Sequence, residues 1–142
     1  MPVRSAEAMW HETAPKGHGN VRTGSGALEG AYDFPSRFEE GDGTNPEELI
    51  AAAHASCFAM AFSLALGQAG YEVERIEADA DVTIEQAKGQ PTITRSDLRV
   101  TGYVAGIDAE EFRRIAEEAK GGCPVSRALG GVKISLAATL DE

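Results

Sequence analysis

The stretch GTNPEELIAAAHASCFAMAFSLALGQAG, residues 43–70, decides the fold of this 142-residue chain. From Leu49 to Tyr71 there is no Asp, Glu, Lys or Arg, and 15 of the 18 residues from Leu49 to Leu66 are apolar. A segment of this kind either spans a membrane or forms a helix that other elements enclose on every side. Because no basic cluster flanks it, we expect a buried core helix and no membrane span.

The ends of this helix are marked by residues that favour helix boundaries. Asn45 can cap the first turn and Pro46 suits the first helical position. Gly67 and Gly70 are typical of a helix end. We therefore predict a helix from Pro46 to near Ala69.

Alternating apolar and polar residues elsewhere predict strands. An amphipathic helix should begin after Asp108 and stop at Gly121-Gly122, and a short helical segment should follow up to Leu129. The predicted strands are residues 76–84, 92–104 and 132–140, with a hairpin over 19–32 and a further strand in the first dozen residues. This order of elements indicates an α+β fold and not regularly alternating βαβ units.

Composition limits the possible partners and compartment. Thirteen basic against 23 acidic residues give a net charge of −10, which argues against a nucleic-acid backbone or an anionic membrane surface as a partner. The length fits a single domain over residues 1–142. Two cysteines exclude a disulfide-dense secreted scaffold, and Met1–Glu12 has no apolar core of a signal peptide. We expect a soluble cytoplasmic protein.

The two cysteines lie in different surroundings. Cys57 is in the middle of the apolar helix, where an unpaired cysteine is usually a small core residue. Cys123 precedes Pro124 at a predicted helix start, where backbone N–H groups lower the pKa of a thiol. From the residues alone, Cys123 is the more reactive thiol. No cysteine or histidine pair has the spacing of a zinc site, so we expect no metal.

His54 offers a different chemistry. It lies three residues before Cys57, which places both side chains on one helix face. Such a pair could serve acyl transfer, although no third group that would orient the histidine can be identified. The other interpretation is a buried histidine held by hydrogen bonds.

A non-catalytic stress or binding protein is a further alternative for the function of the whole chain.

Several motifs resemble one known family. Residues 43–49 (GTNPEEL) and 52–58 (AAHASCF) resemble the OsmC/Ohr family of organic hydroperoxide reductases, in particular its OsmC branch. Residues 36–39 (SRFE) and 122–126 (GCPVS) fit the same branch. The resemblance implies an α+β, OsmC-like fold in which antiparallel-rich sheets wrap long central helices in an intertwined homodimer.

The resemblance also implies an activity and a set of site residues. Cys57 would be the peroxidatic thiol, Cys123 the resolving thiol, and Arg37 and Glu47 would complete the active site. This reverses the order of reactivity that the residues alone indicate. An organic hydroperoxide would be the substrate and an external dithiol, such as a lipoylated protein, the reductant, with no bound cofactor.

Electrostatics require a cation beside Cys57. A thiol with a pKa of about 8.5 is only ~3% ionised at pH 7, whereas a pKa near 6 would give ~90% thiolate. Burial on an apolar helix raises the pKa, so a positive group must compensate. Arg37 suits this role because its guanidinium stays charged, and Glu47 could hold it by two hydrogen bonds. Apolar neighbours such as Phe34, Phe38, Phe58 and Met60 would suit an alkyl peroxide, although the same residues could be plain core.

The spacing of Glu47 and Cys57 raises a geometric problem. Ten residues of straight helix extend ~15 Å, which a glutamate side chain cannot bridge. Either the Glu47 region leaves the helix, or Arg37 and Glu47 reach Cys57 from a partner subunit. We expect the second arrangement, which agrees with the homodimer that the resemblance implies.

Overall fold

The computed structural model describes residues 1–141. Helices and strands are both present, as the α+β prediction requires. The chain forms two compact units, Met1–Leu49 and a second that starts at Ile50. The single domain over residues 1–142 stays a prediction.

Three antiparallel strands form the sheet of the first unit. They are β1 (Ala6–His11), β2 (His18–Thr23) and β3 (Glu29–Asp33), in the spatial order β1-β2-β3. The predicted hairpin over residues 19–32 and the strand in the first dozen residues are therefore both confirmed.

A short helix, α1 (Phe34–Phe38), follows β3 and was not predicted. Asp33 caps it, because its carboxylate accepts the backbone N–H of Ser36 at 2.8 Å while the Ser36 hydroxyl accepts the N–H of Asp33 at 2.8 Å. Pro35 occupies the first turn, where a missing N–H costs nothing. Asp33, Pro35 and Ser36 are the features of the sequence that could have predicted this helix. The helix α1 carries Arg37.

The long helix α2 (Pro46–Gln68) runs without a break, as predicted. Asn45 caps it by accepting the backbone N–H of Glu48 at 2.7 Å. Phe58, Phe62 and Leu66 follow one another at four-residue spacing and are completely buried. They form the core-facing side of the helix.

The second unit contains a three-stranded sheet with two further helices. β4 (Val73–Ala87) pairs antiparallel with β5 (Gln90–Val104), and β5 pairs parallel with β6 (Lys133–Asp141). Two helices, α3 (Ala109–Gly122) and α4 (Pro124–Ala128), make the crossover that a parallel pair requires. All three predicted strands and both predicted helical segments are confirmed.

The core of the second unit joins α2, β5 and α3. Beside the three apolar residues of α2, the buried members include Leu98, Val100, Val104, Phe112 and Ile115. The Phe112 ring meets the Phe62 ring edge-on, with centroids 5.0 Å apart.

Gly102 of β5 is required by the close approach of Phe112. A Cβ atom at position 102 would lie 2.6 Å from Cζ of the Phe112 ring. We expect Gly102→Ala to lower the free energy of unfolding by about 1–3 kcal/mol, measured by urea denaturation. Gly121→Ala is the matched control, since nothing lies within 4 Å of its added methyl group and alanine favours a helix. Equal effects of the two substitutions would contradict this packing.

One face of α2 is open in the single chain. Met60 is 76% exposed and Leu64 is 62% exposed. Three small exposed residues, Ala53, Ser56 and Gly67, lie on the same helix face, since all five positions follow one another at spacings of three or four residues. The prediction that α2 is enclosed on every side is therefore wrong for one chain. By length and composition α2 could cross a membrane, but a core helix passes the same test.

Candidate active site

The structure brings the two cysteines together. Sγ of Cys57 on α2 and Sγ of Cys123 are 3.0 Å apart. Both thiols are free, and their separation is longer than the ~2.05 Å of a disulfide bond. Cys57 is half-buried, whereas Cys123 is completely buried.

The junction between α3 and α4 positions Cys123. Its backbone N–H donates to the carbonyl of Ala119 at 2.9 Å and closes α3, and Pro124 then begins α4. Among the described residues, the Cys123 side chain makes no capping hydrogen bond to α4, and its Sγ instead faces Sγ of Cys57. The prediction that Cys123 precedes a helix start is confirmed.

The two thiols differ in acidity. Burial raises the pKa of Cys57, and its hydrogen bond with Cys123 raises it further, against a weaker opposing effect of the Val125 N–H. Burial also acts to raise the pKa of Cys123, but the adjacent Cys57 thiol and the polar groups of Ser126 and Val125 outweigh burial and lower the pKa. Within one chain, a single negative charge on the pair therefore rests on Cys123.

A second pair lies in the first unit. Nε of Arg37 donates to Oε1 of Glu47 and Nη2 donates to Oε2, both at 3.1 Å. This is the two-point contact expected from the sequence. Glu47 is buried, while Arg37 is partly exposed and its guanidinium lies 5.0 Å from the centre of the Phe38 ring. Asn45 donates to the Ser36 carbonyl at 2.8 Å, which ties α1 to the start of α2.

The described residues thus provide two pairs, each within its own compact unit. The thiols of Cys57 and Cys123 belong to the second unit, and Arg37 with Glu47 belongs to the first.

His54 is completely buried and both of its ring nitrogens are occupied. Nδ1 lies 2.7 Å from Oγ of Ser96 on β5, and Nε2 lies 2.7 Å from Oγ of Ser126 on α4. Burial lowers the pKa of His54, so the ring is neutral at pH 7. Of the two interpretations of His54, the structure agrees with the buried, hydrogen-bonded histidine. The Cys57–His54 acyl-transfer pair has no free ring nitrogen to act as its base.

Sequence reasoning missed the two serines. Ser126 falls within the GCPVS motif, but nothing in its spacing indicates contact with His54. Ser96 carries no local signal at all. Among residues 1–141, no group of three or more His, Cys, Asp or Glu side chains could hold a metal ion.

The apolar residues expected to suit an alkyl peroxide differ in burial. Phe58 is completely buried and stacks against Phe62, with ring centroids 5.7 Å apart, so it is a core residue and is closed to substrate. Phe34 and Phe38 pack against each other at 4.8 Å, and Phe38 remains 40% exposed.

Comparison with known proteins places this chain in a family. A family model described as OsmC-like protein matches residues 39–137. The chain belongs to the OsmC family. The match includes Glu47, Cys57 and Cys123, and Arg37 lies just before it.

Individual OsmC relatives are similar over most of their length. Peroxiredoxin OsmC of Escherichia coli (strain K12) is 46% identical over 127 residues, which are 89% of each chain. An organic hydroperoxide resistance protein of Xanthomonas axonopodis pv. citri is 33% identical over 125 residues, covering 85% of this chain and 86% of the relative.

Solved structures agree with the fold. The crystal structure of an organic hydroperoxide resistance protein from Elizabethkingia anophelis superposes with a TM-score of 0.80 at 25% identity. The match covers 99% of this chain and 98% of that one. The prediction of an α+β, OsmC-like fold is confirmed.

Proposed function

We propose that this protein is a cysteine-based thiol peroxidase that reduces organic hydroperoxides to alcohols in oxidative-stress defence. The 3.0 Å distance between the sulfur atoms of Cys57 and Cys123 is the observation that carries the proposal. The printed names of the relatives, a peroxiredoxin and organic hydroperoxide resistance proteins, support the substrate class.

The reaction begins at Cys57. Its thiolate attacks the terminal peroxide oxygen, the O–O bond breaks, and an alcohol leaves after taking a proton. Cys57 is then a sulfenic acid, and Cys123 condenses with it to give a disulfide and water. The difference in burial supports this order, because Cys57 is half-buried and within reach of a substrate while Cys123 is fully enclosed.

Arg37 and Glu47 act on Cys57 from the partner subunit of a homodimer. Two observations support this arrangement. Burial raises the pKa of Cys57, so its thiolate needs a stabilising positive charge. In addition, α2 is unbroken from Glu47 to Cys57, a rise of ~15 Å.

The exposed face of α2 supports the dimer independently. Met60 and Leu64 present apolar surface that a second chain would remove from water. Arg37 uses two N–H groups on Glu47 and has further donors for a thiolate or a peroxide oxygen. The bidentate contact would hold the guanidinium at a fixed orientation.

The catalytic cycle is completed by a reductant that is not part of this chain. An external dithiol, such as a lipoylated protein, reduces the Cys57–Cys123 disulfide by exchange and regenerates both thiols. A cytoplasmic location fits this chemistry, because the reducing pool there keeps thiols free. The proposed steps need no resident cofactor.

A dithiol-coupled assay tests the proposal. We expect the wild-type protein to consume an alkyl hydroperoxide faster than hydrogen peroxide. With no dithiol added, Cys123→Ser should release one equivalent of alcohol per chain and then stop, with Cys57 sulfenic acid accumulating, since the chain has no second thiol to resolve it. The trapped sulfenic acid is measured by mass spectrometry after labelling. Continuous cycling of Cys123→Ser at the wild-type rate would refute the resolving role.

A further inference from the structure

Two contacts join α2 to the segment that begins at Cys123. Sγ of Cys57 lies 3.0 Å from Sγ of Cys123, and Nε2 of His54 lies 2.7 Å from Oγ of Ser126. His54 is three residues before Cys57, and Ser126 is three residues after Cys123. The second contact is therefore about one helical turn from the first on both segments. The proposed peroxidase steps use the two thiols but neither His54 nor Ser126.

The short helix α4 has few other attachments. It consists of five residues, Pro124–Ala128, and a helix of this length is not stable alone. The structure describes all five residues, and only Ser126 among them is buried, while Val125 packs partly against the core. Gly130 and Gly131 follow the helix and restrain the chain little. The buried anchor of α4 is thus a hydroxyl group that contacts His54.

His54 is itself held by a third element. Its Nδ1 lies 2.7 Å from Oγ of Ser96 on β5, the central strand of its sheet. The side chains of His54 and Ser96 are at most 1% exposed. Because a serine hydroxyl can donate or accept, a neutral ring can make both contacts at once. The His54 ring therefore links α2, β5 and α4 in one orientation.

We infer that His54 is a positioning residue for disulfide formation: its contact with Ser126 keeps α4 docked on α2, with the sulfur of Cys123 beside that of Cys57. The inference rests on the proposed function for the reaction of the two thiols. From their separation of 3.0 Å, the sulfur atoms need to approach by only about 1 Å to reach the length of a disulfide bond. If α4 were released, Cys123 could leave this position, and a misplacement of about 1 Å can cost about 10²-fold in rate.

The docked position serves the second chemical step. Cys123 attacks the sulfur of the Cys57 sulfenic acid, so an S–S bond forms and the S–O bond breaks. Cys123 is oxidised, Cys57 is reduced, and the thiol proton of Cys123 leaves with the hydroxide as water. When this step is slow, a second hydroperoxide can oxidise the sulfenic acid further to a sulfinic acid. Docking of α4 therefore also protects Cys57 from further oxidation.

The test follows the two steps separately in a single turnover with one equivalent of an alkyl hydroperoxide and no dithiol. Alcohol release measures the attack by Cys57, and loss of both thiols measures disulfide formation. We expect Ser126→Ala and His54→Leu to release alcohol at the wild-type rate but to form the disulfide about tenfold or more slowly. The double variant should be no slower than the slower single variant, because both substitutions break the same contact.

Two further replacements of His54 distinguish this contact from simple filling of a buried space. The amide nitrogen of a glutamine side chain lies about as far from the backbone as Nε2 of histidine, and that of asparagine about as far as Nδ1. His54→Gln can therefore contact Ser126 and should form the disulfide at nearly the wild-type rate, whereas His54→Asn should be as slow as Ser126→Ala. Equal rates of disulfide formation in His54→Gln and His54→Asn would overturn the inference. If circular dichroism shows that His54→Leu does not fold, these two variants and Ser126→Ala decide it.

Thr94→Val is the matched control for the loss of a buried hydroxyl. Thr94 lies two residues before Ser96 on the same face of β5, and its Oγ1 is buried without a hydrogen-bond partner within residues 1–141. Its substitution should leave the rates of both steps unchanged. Disulfide formation at the wild-type rate in Ser126→Ala, or equal slowing of both steps, would contradict the positioning role.

A redox titration separates failure of this inference from failure of the proposed function. The Cys57–Cys123 disulfide is equilibrated with reduced and oxidised dithiothreitol in the absence of peroxide. Ser126→Ala should make the disulfide easier to reduce by about tenfold in the equilibrium constant, which is about 30 mV for a two-electron couple. An unmoved equilibrium would overturn the role of His54 even in a protein that reduces hydroperoxides. A shifted equilibrium in a protein that does not reduce hydroperoxides would overturn the proposed function and leave the positioning role in place.

Discussion

Cys57→Ser is expected to abolish hydroperoxide reduction, with a loss of about 10³-fold or more in the dithiol-coupled rate. A serine hydroxyl is not ionised at pH 7 and cannot form a sulfenic acid, so the covalent step is lost completely. The substitution removes one sulfur atom from a half-buried position, and circular dichroism should show an unchanged fold.

Cys123→Ser is the matched comparison for this prediction. It changes the other sulfur of the same pair, 3.0 Å away, and should retain one turnover. If Cys123→Ser shows a first-turnover burst and Cys57→Ser shows none, Cys57 is the attacking thiol. A burst in Cys57→Ser of the same size as in Cys123→Ser would contradict the assignment and favour Cys123 as the attacking thiol.

The second prediction with a large effect concerns a dimer that contains one Arg37→Met chain and one Cys57→Ser chain. Arg37→Met should reduce the rate at pH 7 by about 10-fold or more, because burial raises the pKa of Cys57 and no guanidinium then stabilises its thiolate. The Arg37→Met homodimer and the Cys57→Ser homodimer are both expected to be inactive or nearly so. A dimer with one chain of each kind has one complete site, formed by Cys57 of one chain and Arg37 of the other. It should recover about half of the wild-type activity per dimer.

The mixed dimer is obtained by co-expression of the two variants with different affinity tags and purification on both. Its activity is compared with that of each homodimer under the same conditions. Activity no higher than that of the Arg37→Met homodimer would mean that Arg37 and Cys57 act within one chain. In that case the proposed contribution of the partner subunit is wrong. The result does not contradict the roles of Arg37 and Cys57 themselves.

Most elements of the fold could be predicted because their signals are local. Period-two alternation predicts β4, β5 and β6, and the Asn45 and Asp108 caps predict the starts of α2 and α3. The helix α1 was missed although Asp33 and Ser36 form a capping box, because five residues are too few to show an apolar period.

The candidate site could be predicted only in part, because its contacts are not local. Cys57 and Cys123 are 66 positions apart, and the residues alone indicate Cys123 as the reactive thiol. The family resemblance supplied their pairing and their order. His54 contacts serines that are 42 and 72 positions away, which no spacing rule along the chain can predict.

The open face of α2 shows a further limit of sequence reasoning. An apolar residue carries the same signal whether its own chain or another chain covers it. Met60 and Leu64 are exposed in the single chain, whereas Phe58 and Phe62 on the same helix are fully buried. The composition of α2 therefore predicts burial but not what provides it.

The most direct test of the central claim is oxidation of the reduced protein by one equivalent of an alkyl hydroperoxide. The account predicts one alcohol formed per chain, loss of two thiols, and a peptide pair linked through Cys57 and Cys123 in the non-reducing digest. Each is read by mass spectrometry of the same sample. Unconsumed hydroperoxide, or consumption without the linked Cys57 and Cys123 peptides, would contradict it.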